Sequence, residues 1–264
     1  MTTSTAPTSI RLGNHTVTRI GLGTNRLRDT RQSVEFIHAA IDAGVEMIDT
    51  AHLYTSGESE RAIGRALATH ASARSSVVVA TKGGYGGAGH GRPEVLRAEI
   101  EQSLERLGVE RIVLYYLHRV DPETPIEESL GAIAEYVDAG RIEHVGISAV
   151  DIPTIQRARK VVPIAAVQNE YNLTNRTSDN VVDYCTREQI VFVPYYPLHA
   201  SSSRALQAAA RRHGATASQV ALAWLLKRSP MMLPIPGTLS LDHLKENLGA
   251  LTLELPDAEL AALT

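Results

Sequence analysis

Residues 77–118 read VVVATKGGYGGAGHGRPEVLRAEIEQSLERLGVERIVLYYLH. The β-branched run Val77–Lys82 predicts a strand, and Ile112–His118 predicts another. Between them Pro93 falls in a first helical turn and Gly108 follows a last one, which predicts a helix over Pro93–Leu107. Strand, helix and strand in succession call for two parallel strands joined by a right-handed crossover.

The same unit recurs in both directions. Strand cores are predicted at Ile20–Thr24, Met47–Thr50, His144–Ser148, Ala165–Glu170, Ile190–Tyr195 and Leu233–Ile235. Helix-period segments run over Ser33–Ala43, Glu58–Ala68, Pro125–Ala139, Ile152–Lys160, Thr177–Arg187, Ser203–His213, Thr216–Arg228 and Ser240–Leu248. Eight such strands predict an α/β fold closed as a (β/α)8 TIM barrel. An open doubly wound sheet is the competitor, and no GxGxxG follows the first strand to support it. Ser9–Leu12 and Thr16–Thr18, around Gly13-Asn14-His15, predict a β-hairpin cap ahead of the barrel. No linker or composition shift divides the chain, so residues 1–264 are expected to form a single domain.

Composition narrows the partners. With 26 Lys and Arg against 29 Asp and Glu, the net charge of −3 offers no basic face for nucleic acid. No apolar stretch reaches the roughly 18 residues that a membrane span needs. The N-terminal residues carry no basic, then apolar, leader pattern. The single cysteine, Cys185, excludes an internal disulfide and fits a reducing, cytoplasmic setting. Cys185 falls in a helix pattern and is expected to be inert. His90, His199 and His213 are scattered and suggest no metal site.

In a barrel of this kind the active site gathers at the C-terminal ends of the strands. There the apolar runs finish in Asp49-Thr50, Thr81-Lys82, His118, Ser148, Gln168-Asn169-Glu170 and Tyr195-Tyr196. Taken singly, each has a bland reading: Asp49 as a helix cap, Lys82 as a loop lysine, His118 as a core histidine, Tyr54 as a loop tyrosine. Together they support carbonyl reduction. Asp49 is placed to pair with Lys82, and a cationic Lys82 would lower the pKa of a nearby phenol. Tyr54 would then act as a general acid nearer neutral pH than a free tyrosine, at about 10. His118 would orient the substrate oxygen. No side chain supplies hydride, so a nicotinamide cofactor is required. Arg119 is expected to form an ion pair with Asp121 or Glu123, its alternative being an anionic group of a substrate.

The stretches MIDTAHLYTSGESE (47–60), ATKGG (80–84), YYLHRVDP (115–122), GRIEHVGIS (140–148), VQNEYN (167–172), VPYYPL (193–198) and LPIPGT (233–238), with Glu246-Asn247, resemble the aldo-keto reductase superfamily. They stand in family order and cover almost the whole chain. The resemblance implies a barrel with a hairpin cap and carbonyl reduction with NADP(H), NAD(H) remaining open. It implies Tyr54 as general acid, tuned by Lys82 and Asp49, with His118 orienting the carbonyl of a small-molecule carbonyl or alcohol substrate. It further implies a cofactor set of Thr24, Ser148, Gln168, Tyr195, Leu198, Ser201, Thr238, His243, Glu246 and Asn247. Within that set Ser148 and Gln168 would hold the carboxamide, and Tyr195 would stack on the nicotinamide ring. A monomer is the family's leaning.

The chain departs from the family where Ala149 stands for a common Asn, Gly237 for a common Lys and His243 for a common Arg. These departures bear on the carboxamide and on the 2′-phosphate that separates NADP from NAD. A regulatory subunit that binds NADP(H) with little turnover is the alternative, and a Schiff-base lyase acting through Lys82 is a third reading.

Overall fold

The computed structural model describes residues 7–70, 76–199 and 204–263. Two short antiparallel strands, β1 (Ser9–Leu12) and β2 (His15–Thr18), form the expected hairpin. Seven parallel strands follow in sequence order: β3 (Leu22–Gly23), β4 (Met47–Asp49), β5 (Val78–Gly83), β6 (Ile112–Leu117), β7 (Ile142–Ser148), β8 (Ile164–Glu170) and β9 (Val191–Tyr195). The helices that separate them are α1 (Arg31–Asp42), α2 (Glu58–Thr69), α3 (Pro93–Leu107), α4 (Ile126–Asp138), α5 (Ile152–Ala158) and α6 (Asp179–Arg187). After β9 come α7 (Arg204–Arg212), α8 (Ala217–Arg228), α9 (Leu241–Gly249) and α10 (Asp257–Ala262).

Local chemistry sets these limits. Pro93 opens α3, and Gly108, at φ 63°, closes it with its N–H on the carbonyls of Glu105 and Leu104. Asp151 caps α5 by accepting from Thr154 N at 2.9 Å. Thr216 and Gln219 form a reciprocal capping box on α8.

The eighth strand differs from expectation: Leu233–Ile235 is not a regular strand, although it occupies the closing position. On one side Phe192 N donates to Met231 O at 2.8 Å, and Leu233 N donates to Phe192 O at 2.9 Å. On the other side Gly21 N and Gly23 N donate to the carbonyls of Pro234 and Pro236 at 3.0 and 3.2 Å. Both prolines lack an N–H, so neither can return a hydrogen bond across this seam, and the strand reduces to isolated bridges. The barrel still closes. Beneath the seam lies a residue that sequence reading passed over. Arg19 is 1% exposed, and its guanidinium donates to the carbonyls of Met232, Leu226, Ser229 and Pro7 at 2.6–3.2 Å. Leu226 belongs to the last turn of α8, where free carbonyls favour a cation. Burial draws Arg19 down to about 10, which leaves it charged at neutral pH.

Two apolar layers divide the strand residues by parity. Met47, Val78, Ala80, Leu114, Tyr116, Ala166, Val191 and Val193 fill the barrel interior. Ile48, Val79, Tyr115, Leu117, Val167 and Phe192 face the helices. Side chains alternate along a strand, so two residues beyond an interior residue is again interior. That rule sends Asp49, Lys82, His118, Gln168 and Tyr195 inward at one end of the barrel. Ile10, Leu12 and Val17 of the hairpin pack into the interior layer at the other end. The hairpin is held there by His15, whose ring bonds Glu143 at 3.0 Å, and by Asn14, bonded to His144 at 2.7 Å. A Cβ on Gly13 would stand 2.1 Å from the His144 ring, so only glycine allows this turn to sit on β7. Within the barrel, Gly146 similarly leaves room for the Tyr116 ring, 2.3 Å from where its Cβ would be.

Candidate active site

A cleft of about 590 Å³ opens at the C-terminal end of the strands. Asp49, Tyr54, His118, Ser148, Gln168, Tyr195 and Leu198 line it, together with Thr24, Arg119 and Gly237. Lys82, fully buried, lies behind the lining, against Asp49.

The hydrogen bonds around Asp49 are directional. Lys82 Nζ donates to Asp49 Oδ1 and, at 2.8 Å, to the carbonyl of Thr50. Gln168 Nε2 donates to Asp49 Oδ2 at 2.8 Å. Both oxygens of a buried carboxylate are therefore engaged, one by a cation and one by an amide, which is what a charge out of water requires. Lys82 Nζ also lies 5.1 Å from the Tyr54 ring centroid and 5.8 Å from that of Tyr116. Burial works against the ammonium, but Asp49 and Tyr54 outweigh it and hold Lys82 above its ordinary pKa. A lysine so protonated is no nucleophile, which removes the support for a Schiff-base reading.

Tyr54 is aimed by an irregular turn. Residues 54–57 form a 3₁₀ segment in which Thr55 and Ser56 take φ values of 48° and 55°, followed by Gly57 at 82°. Non-glycine residues in this region cost roughly 1–2 kcal/mol each. Thr55 Oγ1 fastens the turn, donating to Leu27 O at 2.6 Å and accepting from Ser59 N at 3.1 Å. Strain held in this way at a cleft marks a side chain whose direction matters.

The phenol does not titrate as expected. Burial raises the Tyr54 pKa more than the Lys82 cation lowers it, and Asp49 adds to the rise, so Tyr54 stands above its ordinary value. Sequence reading weighed the cation and lacked the desolvation. His118 moves the other way. Burial, then Lys82 and Arg119, push it down to about 2, so its ring is neutral across the physiological range. Its ring is 6.0 Å from that of Tyr54, edge-on, and 4.7 Å from that of Tyr85. Among the described residues nothing hydrogen-bonds its Nδ1.

Arg119 also departs from expectation. Asp121 is taken by Gly91 N at 2.9 Å, Glu123 N at 2.9 Å and Thr124 Oγ1 at 2.8 Å. Arg119 turns into the cleft, with its guanidinium carbon 5.7 Å from the Tyr85 ring centroid and 5.6 Å from that of Tyr195.

The proposed cofactor residues separate into groups. Ser148, Gln168, Tyr195 and Leu198 share the cleft with Tyr54 and His118. Thr24 lines it too, but its hydroxyl is committed to Asp49 O at 2.8 Å and Ser59 Oγ at 2.9 Å. Thr238, His243, Glu246 and Asn247 lie on or before α9, beyond the Gly237 end of the cleft wall. Glu246 there accepts from Thr216 Oγ1, and Thr238 Oγ1 accepts from Ser240 N at 3.0 Å. Ser201 lies outside the described residues. Ala149 takes φ 56°, a left-handed conformation that asparagine tolerates better than alanine. Sequence reading also missed the hydroxyl chain Thr24–Ser59–Thr50, linked at 2.9 and 2.7 Å beneath Asp49, because Ser59 is on α2 and no strand pattern points to it.

Residues 19–264 match the Aldo/keto reductase family. The chain is 35% identical to the uncharacterized oxidoreductase C215.11c of Schizosaccharomyces pombe, covering 97% of this chain and 88% of that one. It is 33% identical to the probable aldo-keto reductase 1 of Glycine max, over 92% of this chain and 84% of that one. Its structure superposes with a TM-score of 0.89 on a thermostable aldo-keto reductase, Tm1743, solved with the inhibitor epalrestat, at 31% identity over 97% and 98% of the two chains. An aldo/keto reductase from Klebsiella pneumoniae, solved with NADP and acetate, gives 0.84 at 28% identity over 97% and 94%. This chain belongs to the aldo/keto reductase family, and its class of activity is that of an oxidoreductase. Among the described residues no helix is long and apolar enough to cross a membrane.

Proposed function

We propose that this protein reduces an aldehyde or ketone to an alcohol with NADP(H), Tyr54 giving the proton to the carbonyl oxygen. The observation that carries the reading is the chain Gln168–Asp49–Lys82 beneath the Tyr54 ring, facing a neutral His118. The Klebsiella relative bound to NADP supports the cofactor. So does the wall of the cleft. Ser148 is 1% exposed there, Gln168 keeps its amide oxygen beyond the bond to Asp49, and the Tyr195 ring stands beside them. A hydroxyl, an amide and an aromatic ring suit a flat ring bearing a carboxamide. When bound, the nicotinamide supplies the hydride.

The residues of the chain do the rest. Tyr54 and His118 hold the carbonyl oxygen between a phenol O–H and an imidazole. Lys82 stabilises the phenolate that forms as the proton leaves, and Asp49 keeps Lys82 charged. The same chain serves as one barrel domain, read as a monomer of a reducing, cytoplasmic compartment, where the buried thiol of Cys185 stays inert.

The test is NADPH oxidation across a panel of aldehydes and ketones, with NADPH binding followed by its fluorescence. Turnover with several carbonyls is the expected result. Tight binding with none turned over would replace this reading by a regulatory one. The pH dependence provides a second check. Because His118 protonates only near 2 and Tyr54 loses its proton above its ordinary value, kcat for reduction should stay flat from about pH 5 to 8. It should fall only at a pH above the ordinary tyrosine range, because burial raises the Tyr54 phenol. An acid limb centred near the ordinary histidine value would contradict the assignment of His118.

A further inference from the structure

We infer that Arg119 is an anion-recognition residue and that the substrates this site favours are carbonyl compounds bearing a carboxylate. The inference rests on the reductase reading and narrows its substrate class.

Asp49 and Lys82 cancel, and His118 is neutral. Arg119 brings a guanidinium to the cleft wall beside them. Its polar contacts among the described residues are to His118 O at 3.4 Å, Ser148 Oγ at 3.4 Å and Tyr195 Oη at 3.5 Å. All are long and none is to a carboxylate. The nearest acid, Asp121, points elsewhere, taken by the backbone N–H groups of Gly91 and Glu123 and by the Thr124 hydroxyl. Two more charged residues, Arg26 and Glu170, line the cleft, and Glu170 forms no ion pair with Arg119 among the described residues.

The guanidinium stands between the rings of Tyr85 and Tyr195, within 6 Å of each centroid, which is cation–π range. Two aromatic faces limit how it can turn and strip part of its water. A planar fork held in this way is preorganised for the two oxygens of a carboxylate. It is also one residue from His118, so an anion on Arg119 and a carbonyl on His118 and Tyr54 can belong to one small molecule. The carboxylate partner that Arg119 lacks among the described residues is thus one that a substrate can bring.

The test compares 4-carboxybenzaldehyde with its methyl ester, and succinic semialdehyde with butanal, in wild type, Arg119→Met and Arg119→Lys. Wild type should prefer the acid of each pair by about tenfold or more in kcat/KM, mainly through KM, and the preference should shrink as salt rises. Arg119→Met should erase most of that ratio, and Arg119→Lys should retain part of it. Equal use of acid and neutral partner by wild type would overturn the inference. So would an Arg119→Met variant that binds NADPH more weakly and loses both partners alike, which would make Arg119 a cofactor ligand. Benzoate binding by calorimetry separates the inference from the reading beneath it. If wild type reduces nothing, the reductase reading fails. Arg119 is then judged by whether benzoate binds wild type at least about tenfold more tightly than Arg119→Met.

Discussion

Tyr54→Phe is expected to lower kcat for carbonyl reduction by about 10²–10⁴-fold, the range that a positioned general acid contributes. NADPH affinity should change by no more than a few-fold. The substitution removes one oxygen and keeps the ring, so the contact with Lys82, 5.1 Å from the ring centroid, and the edge-on contact with His118 survive. The strained turn at Thr55 and Ser56 is fastened through backbone and Thr55 Oγ1, not through the phenol. The loss therefore reports on proton delivery rather than on architecture. The measurement is single-turnover reduction at saturating NADPH, paired with a fluorescence titration of the cofactor. Residual activity within tenfold of wild type would remove Tyr54 from the acid role and leave His118 as the group to examine.

How much of this was legible beforehand depends on the kind of interaction. The helix α3 could be bounded to the residue because Pro93 and Gly108 act locally, one by its fixed φ and the other by its left-handed one. The inward set Asp49, Lys82, His118 and Gln168 could be found because each stands where an apolar strand run ends in a polar residue, which is also local. What escaped was tertiary. The closing segment Met231–Gly237 has a strand's place without a strand's hydrogen bonds, since Pro234 and Pro236 lack donors on the seam they share with β3. Arg19 takes three of its four partners from residues about two hundred positions away, and nothing in its neighbourhood announces them. Arg119 was expected beside Asp121 or Glu123 because sequence offers only near neighbours as partners. Asp121 instead folds back on the backbone of its own loop, at Glu123, and on Gly91. The sign of the Tyr54 shift escaped for the same reason, since burial is a property of the assembled barrel and here exceeds the pull of Lys82.

Lys82→Met should damage stability and chemistry together, and a second substitution should part them. The single change leaves Asp49 buried, 1% exposed, with Gln168 on one oxygen and no cation on the other. Removing one partner of a buried ion pair costs about 3–5 kcal/mol. For a chain of this size that is a fall in Tm on the order of 10 °C. The chemistry suffers separately, because the Lys82 cation is the main influence holding the phenol down against its burial. Without it the Tyr54 pKa rises further, and the phenolate left after proton transfer has nothing to stabilise it. Asp49→Asn combined with Lys82→Met removes both charges and keeps the volume, so much of the lost Tm should return. Activity should not return with it, because the neutral pair still offers Tyr54 no cation. Calorimetry and single-turnover kinetics on the single and double variants read the two effects independently. A double variant that recovered wild-type reduction along with its Tm would show that Lys82 serves the fold alone, and that Tyr54 needs no positive charge to give up its proton.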